Sequence, residues 1–484
     1  MSVSLKRVER REFLRGAVAA AGAVAALPAM NGLSKIGAHG RVSARGNAGY
    51  GPLVPTADLR DGVARIALPE GFQYRSFSQS GEIMSDGNRV PIALDGMGVF
   101  NMPEGRFRLV RNHEDRNAPN NGTTALDPAT SYDMRGGAGT TTLVVNPFTR
   151  ELERDFVSLS GTIVNCAGGV TPWDSWVTCE ETNAGPTTWL KQHGYCFDVP
   201  AAADGQVPAI AIPSMGRFSH EAIVVDPGTG IVYETEDNGN NSGFYRFVPN
   251  TPGVLAAGGT LQMLAIVGAP GYNTRLNQIT GVALDVAWVD IPDPNPPGTS
   301  STAVFNQGLA RGGARFARLE GCWWGNGAVY FDATSGGNAG MGQIWEFRPQ
   351  GDGGTLTLIF ESPGPDVLNS PDNLAVSPRN AIMLCEDGSG DQQFIRGVTL
   401  DGEIFDFAIN LLTDHEWAGA TFAQADPAWN DRKIRGDHRP LGGFEDRITL
   451  FVNRQGATGG PTPPEAGDEG MTFAIWGPWQ NGPF

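Results

Sequence analysis

The sequence predicts an all-β fold, a β-propeller with six blades and long irregular insertions. The chain of 484 residues contains 66 glycines and 34 prolines, scattered between short apolar runs as in a protein of many strands and turns. Several predicted hairpins also share one plan, with acidic residues at the start of one strand and at the end of its partner. Blades around a central axis would bring these strand ends together at one rim, which the two sheets of a sandwich would do less well.

The N-terminal segment has the features of an export signal. Arg10 and Arg11 precede an apolar run rich in alanine and glycine, which is too short and too weakly apolar to cross a membrane. Residues 1–29 are therefore predicted to be a Tat signal, with cleavage after Ala29 or after Ala44. Residues 30–60 are predicted to be a flexible leader, and residues 61–484 a single propeller domain. We expect the Tat machinery as a partner, a periplasmic or secreted location, and no membrane anchor after cleavage.

Charge and cysteine content limit the function classes. The formal net charge of -17 argues against a nucleic-acid-binding surface, which must be basic, and fits a protein whose carboxylates bind cations. The five cysteines are an odd number, and their spacing matches neither a zinc motif nor a disulfide framework. At least one thiol is therefore left over, and metal ligation is one explanation for it. A propeller has no strong need to oligomerise, so we expect a monomer.

The stretch from Gly161 to Glu181 combines a glycine-rich segment, which contains Cys166, with a strand that contains Cys179. Because side chains alternate along a strand, Cys179 and Glu181 are predicted to share a face. A thiol beside carboxylates is a donor set that suits a transition metal next to harder cations. Taken alone, the stretch is better explained as a half-buried strand with a core cysteine and solvated glutamates than as a metal site.

Other strand ends carry carboxylates in pairs. In the hairpin from Arg217 to Val248, Glu221 opens one strand and Glu236 closes the next, so the two carboxylates should be neighbours that repel each other unless a cation lies between them. Asp372 and Glu386 repeat this geometry. Ordinary strand-end charges are the alternative, but they do not predict acidic pairs on both strands.

Two further stretches offer polar side chains for a substrate. Asn112 lies at a strand end in RNHED, where the start of a polar loop is the alternative interpretation. Arg318 and Glu320 are two residues apart and share a strand face. An arginine beside a metal-bound carboxylate is well placed to hold a phosphate oxygen, although a surface ion pair would give the same pattern. Residues 250–312 and 425–446 are predicted to be insertions.

Together these stretches resemble the PhoX family of bacterial alkaline phosphatases, from about residue 64 to about residue 455. The similar pieces, in chain order, are the twin-arginine leader, LPEGFQYRSFS, DGMGVF, RNHED, GTTTLVV, NCAGGVTPWDSWVTCEE, GRFSHEAIVVDPGTGIVYETEDN, RLEG, NSPDNLAVSP, and EWAGATF followed by LFVN. Their number and order make the resemblance specific. Whether the substrate is a monoester, a diester or another anion stays open.

The resemblance implies a six-bladed propeller that hydrolyses small phosphomonoesters at a cluster of two Fe3+ and three Ca2+ ions, with a thiolate and an oxo group among the bridges and a metal-bound oxo or hydroxide as nucleophile. Carried onto this sequence, the thiolate falls on Cys166, with Cys179 as the alternative. Arg318 would hold the phosphate, with Asn112 as a second substrate contact, and Glu221 would be catalytic. The carboxylate ligands would be Glu181, Glu221, Glu236, Glu320, Asp372, Glu386 and Glu416.

Two other function classes fit parts of the sequence. A calcium-dependent propeller lactonase or esterase would need the carboxylates but no cysteine ligand. A secreted propeller that binds a protein or polysaccharide would present aromatic residues at a rim, and the chain has 11 tryptophans. A ferric–thiolate cluster would absorb visible light, whereas both alternatives would be colourless.

Overall fold

In this computed structural model, the described residues are 49–390, 392–426 and 447–484, and their strands fall into six consecutive antiparallel groups. The predicted six-bladed propeller is confirmed. The Tat signal, the first part of the leader and nearly all of the insertion at 425–446 lie outside the described residues, so those predictions stay predictions. No helix within these ranges is long and apolar enough to cross a membrane.

The first three strands precede the blades in sequence: β1 (Leu53–Ala57), β2 (Ala64–Pro69) and β3 (Gln73–Phe77). Blade 1 follows with β4 (Leu94–Met102), β5 (Arg106–His113), β6 (Ala138–Val145) and β7 (Leu152–Thr162). Blade 2 contains β8 (Asn165–Val170), β9 (Ser175–Glu180) and β10 (Cys196–Pro200). Blade 3 contains β11 (His220–Val225), β12 (Val232–Glu236), β13 (Phe244–Pro249) and β14 (Gly259–Ile266), and β15 (Ala283–Asp290) pairs with its outer edge.

A seven-residue helix, α1 (Ala303–Leu309), leads into the second half of the ring. Blade 4 contains β16 (Leu319–Gly325), β17 (Ala328–Ala333), β18 (Gln343–Gln350) and β19 (Gly353–Glu361). Blade 5 contains β20 (Pro371–Val376), β21 (Ile382–Glu386), β22 (Phe394–Val398) and β23 (Ile404–Asn410). Blade 6 contains β24 (Trp417–Gln424), β25 (Ile448–Arg454) and β26 (Met471–Trp476).

Both ends of the described chain close the ring. The N-terminal strand β3 pairs with the C-terminal strand β26 and becomes the outer strand of blade 6. Strands β2 and β1 add to the outer edge of blade 5. Strand β1 lies within the predicted flexible leader, so this part of residues 30–60 is a paired strand. Tyr50 also packs there, because its hydroxyl group accepts a hydrogen bond of 2.9 Å from the backbone N–H of Phe484.

Apolar side chains fill the spaces between neighbouring blades. Trp417 and Phe473 are fully buried between blades 5 and 6, and Phe218, Tyr245 and Cys196 are fully buried between blades 2 and 3. Burial of one large apolar side chain stabilises the fold by roughly 1.5–3 kcal/mol. The inner strands β4, β8, β11, β16, β20 and β24 contact one another in a closed ring around the axis.

The predicted insertion at 250–312 is only partly irregular. It contains β14, which completes blade 3, and α1. It also contains β15, which pairs with β19 and so links blade 3 to blade 4. The alternation in β14 extends only over Leu261, Gln262 and Met263 and is followed by further consecutive apolar residues, which made the strand hard to recognise.

Candidate metal centre and active site

At one rim of the propeller, all six blades repeat the same backbone contact. The residue after the second strand of each blade donates its N–H to the carbonyl of the residue just before the inner strand, over 2.8–3.2 Å. These pairs are Glu114 to Ala93, Glu181 to Val164, Asp237 to Ser219, Thr334 to Arg318, Asp387 to Ser370, and Gln455 to Glu416. The repeat places equivalent residues of all blades around the axis.

The inner strands are irregular at the same rim. In five blades the pairing of the inner strand shifts after its first residue, which is a bulge of the kind that redirects a side chain. The second residues of these five strands are Asp95, Cys166, Glu221, Glu320 and Asp372. Four of them line a central cavity, and Asp95 contacts one of those four.

The cavity has a volume of about 300 Å³ and is lined by residues of all six blades. Its lining contains eight carboxylates, one thiol and two guanidinium groups. The lining residues are Glu114, Arg116, Cys166, Glu181, Glu221, Asp237, Arg318, Glu320, Asp372, Asp387, Glu416, Gln455 and Thr458.

The Cys166 thiol lies among carboxylates. Its Sγ is 2.7 Å from Glu221 Oε1 and 3.6 Å from Asp95 Oδ2. Blade 1 approaches the Cys166 bulge so closely that a Cβ at Gly96 would lie 2.6 Å from Ala167 Cα, so only glycine fits at that position. Cys179, the alternative ligand in the sequence analysis, is fully buried outside the lining of the cavity.

Two arginines contact the carboxylates. Arg318 has a left-handed backbone conformation, φ 43°, and its side chain is 36% exposed. Its Nη2 is 2.7 Å from Glu320 Oε1, and its Nε is 3.3 Å from Asp237 Oδ1. Arg116, which the sequence analysis did not single out, forms ion pairs with Glu114 and Glu181, and its side chain is 47% exposed.

Burial and mutual repulsion favour the neutral forms of these acids. Burial raises the pKa of Glu114 and Glu181 to about 8 and that of Asp372 to about 7. Burial, with repulsion from other carboxylates, also raises the pKa values of Glu221 and Glu320 well above their usual range. Without bound cations the cavity therefore cannot hold all of its carboxylates in the ionised form.

At the cavity, donor atoms of the described residues form three groups, in each of which all ligand atoms lie within 4.8 Å of one another. The first combines the Cys166 thiol with Asp95 and Glu114. The other two contain carboxylates alone and share Asp372. They are Glu221, Glu320 and Asp372, and Asp372, Asp387 and Glu416. A thiolate is a ligand for transition metals, and all-carboxylate groups suit calcium.

The structure brings together seven of the predicted site residues. These are Cys166, Glu181, Glu221, Arg318, Glu320, Asp372 and Glu416. Their roles as ligands or catalytic groups stay predictions, because the geometry establishes only that they line one cavity.

Asn112 does not reach the cavity. Its side chain is fully buried, and its Nδ2 donates to the carbonyls of Cys166 and Ala167, at 3.1 and 2.6 Å. Its Oδ1 accepts hydrogen bonds from Trp176 and Thr178. All four hydrogen-bonding positions of the amide are therefore used within the protein, and Asn112 positions the Cys166 bulge instead of contacting a substrate.

Glu236 and Glu386 also do not reach the cavity. Glu236 accepts hydrogen bonds from Gly243 N and Tyr245 OH, at 2.9 and 2.6 Å. Glu386 accepts 2.9 and 2.5 Å bonds from Asn369 N and Arg396 Nε, and a third from the first residue of β22. Glu221 and Glu236 are not neighbours, because the bulge of β11 turns Glu221 away and Glu236 pairs with His220.

Five charged residues at the cavity were missed: Asp95, Glu114, Arg116, Asp237 and Asp387. Three of them are the second residues of polar pairs at strand ends, His113-Glu114, Glu236-Asp237 and Glu386-Asp387. In each pair the first side chain bonds to the protein and the second enters the cavity. A pair of polar residues at a strand end was therefore the signal in the sequence, and the second residue of each pair is the one that lines the cavity.

The sequence model described as "Alkaline phosphatase PhoX" matches residues 48–152 and 126–430. No curated protein sequence matches the chain.

Among solved structures, the chain is similar to regucalcin, a calcium-binding protein from Agrobacterium tumefaciens, at 10% identity, 76% and 95% coverage of the two chains and a TM-score of 0.30. It is similar to a PQQ-bound aldose sugar dehydrogenase from Streptomyces coelicolor, at 10% identity, 84% and 100% coverage and a TM-score of 0.30. It is also similar to the WD40 domain of coronin from Toxoplasma gondii, at 9% identity, 87% and 90% coverage and a TM-score of 0.34. Similarity at these scores does not bear on function.

Proposed function

The chain belongs to the PhoX family of alkaline phosphatases, and we propose that it hydrolyses phosphomonoesters in the central cavity with the help of bound iron and calcium ions. The observation that carries the proposal is the convergence of one thiol and eight carboxylates from six blades on one cavity. Eight carboxylates against two arginines leave an excess of six negative charges if all are ionised. Cations are the groups that would compensate such an excess in a buried site.

The side chains of the cavity fit an iron–calcium cluster. Glu221 is fully buried, and its Oε2 has no hydrogen-bond partner among the described residues. We assign iron to the group that contains Cys166, and calcium to the carboxylate groups around Asp372. When bound, such ions would neutralise the phosphate dianion and supply a deprotonated water-derived nucleophile at moderate pH.

The arginines would bind and orient the phosphate. The guanidinium groups of Arg318 and Arg116 are partly exposed at the cavity, and each is already held by carboxylates. A guanidinium held in this way presents its remaining N–H groups in a fixed plane, which suits two oxygens of one phosphate. Positive charge at this position would also stabilise the charge that develops during phosphoryl transfer.

Metal content and phosphatase activity should be measured on the same sample. The exported protein, purified without chelator, should contain iron and calcium, absorb visible light and hydrolyse p-nitrophenyl phosphate. Cys166→Ala should lose iron, colour and activity. Cys385→Ala, which removes another buried thiol outside the cavity, should retain all three.

Each alternative function predicts a different result. Calcium without iron, together with lactone hydrolysis and no phosphatase activity, would replace the proposal with the calcium-dependent lactonase. Absence of metal would leave a secreted binding protein. The export step is tested separately, because replacement of Arg10 and Arg11 by lysine should keep the protein in the cytoplasm if residues 1–29 are a Tat signal.

A further inference from the structure

A second cluster of metal-binding side chains lies in the interior between blades 2 and 3, outside the cavity. Cys196 on β10, His220 at the start of β11 and Glu234 on β12 place their donor atoms within 4.8 Å of one another. Cys179 on β9 adds a second thiol, whose Sγ is 3.6 Å from Cys196 Sγ. We propose that these four residues bind one zinc ion that joins blade 2 to blade 3.

Three of the six distances between donor atoms match the edges of a tetrahedral zinc site, and Cys179 is not within 4.8 Å of all three other donors. Zn–S bonds of about 2.3 Å and Zn–N and Zn–O bonds of about 2.0 Å place two sulfurs about 3.8 Å apart, sulfur and nitrogen about 3.5 Å apart, and nitrogen and oxygen about 3.3 Å apart. The corresponding distances are 3.6 Å from Cys179 to Cys196, 3.5 Å from Cys196 Sγ to His220 Nδ1, and 3.4 Å from His220 Nδ1 to Glu234 Oε2.

Glu234 provides an independent reason for a cation. Its side chain is fully buried, and neither carboxylate oxygen has a hydrogen-bond partner among the described residues. Burial raises the pKa of Glu234 well above its usual value. Buried carboxylates are normally hydrogen-bonded, ion-paired or bound to metal, so this one lacks the partner that a zinc ion would supply.

His220 has the orientation of a metal ligand. Its Nε2 lies 3.1 Å from the carbonyl oxygen of Gly216, to which it donates a hydrogen bond, so that Nδ1 keeps its lone pair. The ring also stacks on Phe218 at a centroid distance of 3.7 Å. A ligand whose second nitrogen is fixed by a carbonyl is the usual arrangement around protein-bound zinc.

A disulfide between Cys179 and Cys196 is the competing interpretation, because the two residues are directly opposite on paired strands. A disulfide would leave Glu234 without a partner and the lone pair of His220 Nδ1 without a hydrogen-bond donor. Zinc would bind all four side chains. The position of this cluster also affects the cavity. Glu221 follows His220 directly, so a zinc ion here would anchor the strand that carries Glu221 to the cavity.

The test uses the full chain, purified without chelator. We expect about one zinc per chain, bound in a closed protein site as structural zinc is. Zinc-edge X-ray absorption on the wild-type protein should give two sulfur ligands with nitrogen and oxygen. Mass spectrometry of alkylated, unreduced protein should find Cys179 and Cys196 as free thiols once zinc is removed by denaturation in chelator. Cys196→Ser should lose the zinc, and Cys385→Ser, the matched buried thiol of blade 5, should keep it.

The wild-type measurements decide the proposal even if Cys196→Ser does not fold. A disulfide between Cys179 and Cys196, the absence of zinc, or zinc with oxygen ligands alone would each overturn it. Zinc that persists in Cys196→Ser but disappears in Cys166→Ser would belong to the cavity and would also overturn it. Because iron and calcium are measured in the same samples, a failure of the zinc site can be distinguished from a failure of the proposed phosphatase.

Discussion

Replacement of Arg318 by alanine should lower kcat/KM for p-nitrophenyl phosphate by two to three orders of magnitude. Arg318 Nε donates to Asp237, and its Nη2 forms an ion pair with Glu320, so at least three of the five N–H donors of the guanidinium group can face a phosphate. Two charge-assisted hydrogen bonds to the phosphate, at roughly 1.5–2 kcal/mol each, contribute about 3–4 kcal/mol. At about 1.4 kcal/mol per factor of ten, this corresponds to a loss of about 10²- to 10³-fold.

The assay compares three variants at equal metal content. Arg318→Lys keeps the positive charge but loses the planar guanidinium group, which can donate two parallel hydrogen bonds. Its kcat/KM should therefore lie between those of the wild type and Arg318→Ala. Arg348→Ala is the matched control, because Arg348 is similarly exposed and forms an ion pair with Glu346 on β18, outside the cavity. Iron and calcium must be measured for each variant, since loss of Arg318 also removes the positive charge beside Glu320.

Retained metals with a kcat/KM equal to that of Arg348→Ala would refute the assignment of Arg318 to phosphate binding. A loss of activity that only follows a loss of metal would show instead that Arg318 balances the charge of its carboxylate neighbours. A rise in KM with unchanged kcat would mean that the arginine binds the substrate and the transition state equally well.

Three further predictions concern the carboxylates and the residues that position them. In the metal-free protein, Glu114 and Glu181 hold protons that the unfolded chain releases, because burial raises their pKa values from 4.5 to about 8. The free energy of unfolding should therefore fall as pH rises from about 4.5 to about 8, and calcium should reverse the fall, which urea titrations across this range would measure. Glu181→Gln should lower metal content with little loss of stability, whereas Glu180→Gln should mainly lower stability, because Glu180 accepts bonds from Gly194 N, His193 and two other groups. Asn112→Ala should destabilise the fold by about 1–3 kcal/mol and reduce iron-dependent absorbance, since it frees the backbone of the Cys166 bulge.

The fold was predictable because its signal repeats. Short apolar runs, turn residues and strand-end acids recur along the chain, and six strand groups are the result. The prediction of strands was wrong where that signal is weak. Strands β14 and β15, for example, were assigned to an insertion. Strand β1 was also missed, because it is an edge strand whose side chains are half-buried or exposed and lack a strong alternating pattern.

The site was less predictable because its geometry depends on bulges. Strict alternation places Glu221 beside Glu236, but one extra residue in β11 sends the two side chains to different sides. The same irregularity brings Asp95 to Cys166 from another blade. Neither the bulge nor the contact between blades follows from local sequence. The resemblance to a family identified the correct stretches, but only the fold determines which member of each pair enters the cavity.

Blade 4 breaks the repeat at the place where positive charge is needed. The position that carries Glu114, Glu181, Asp237 and Asp387 in four other blades is Thr334 here, and its hydroxyl group donates to the carbonyl of Pro371. The position before the inner strand, which is left-handed at Ala93, Val164 and Ser370, carries Arg318 in blade 4. Blade 4 therefore contributes one carboxylate fewer and one guanidinium more than its neighbours in the repeat. In the proposed reaction, an anionic substrate would meet the least repulsion over this blade, so the asymmetry of the ring would set the orientation of the phosphate.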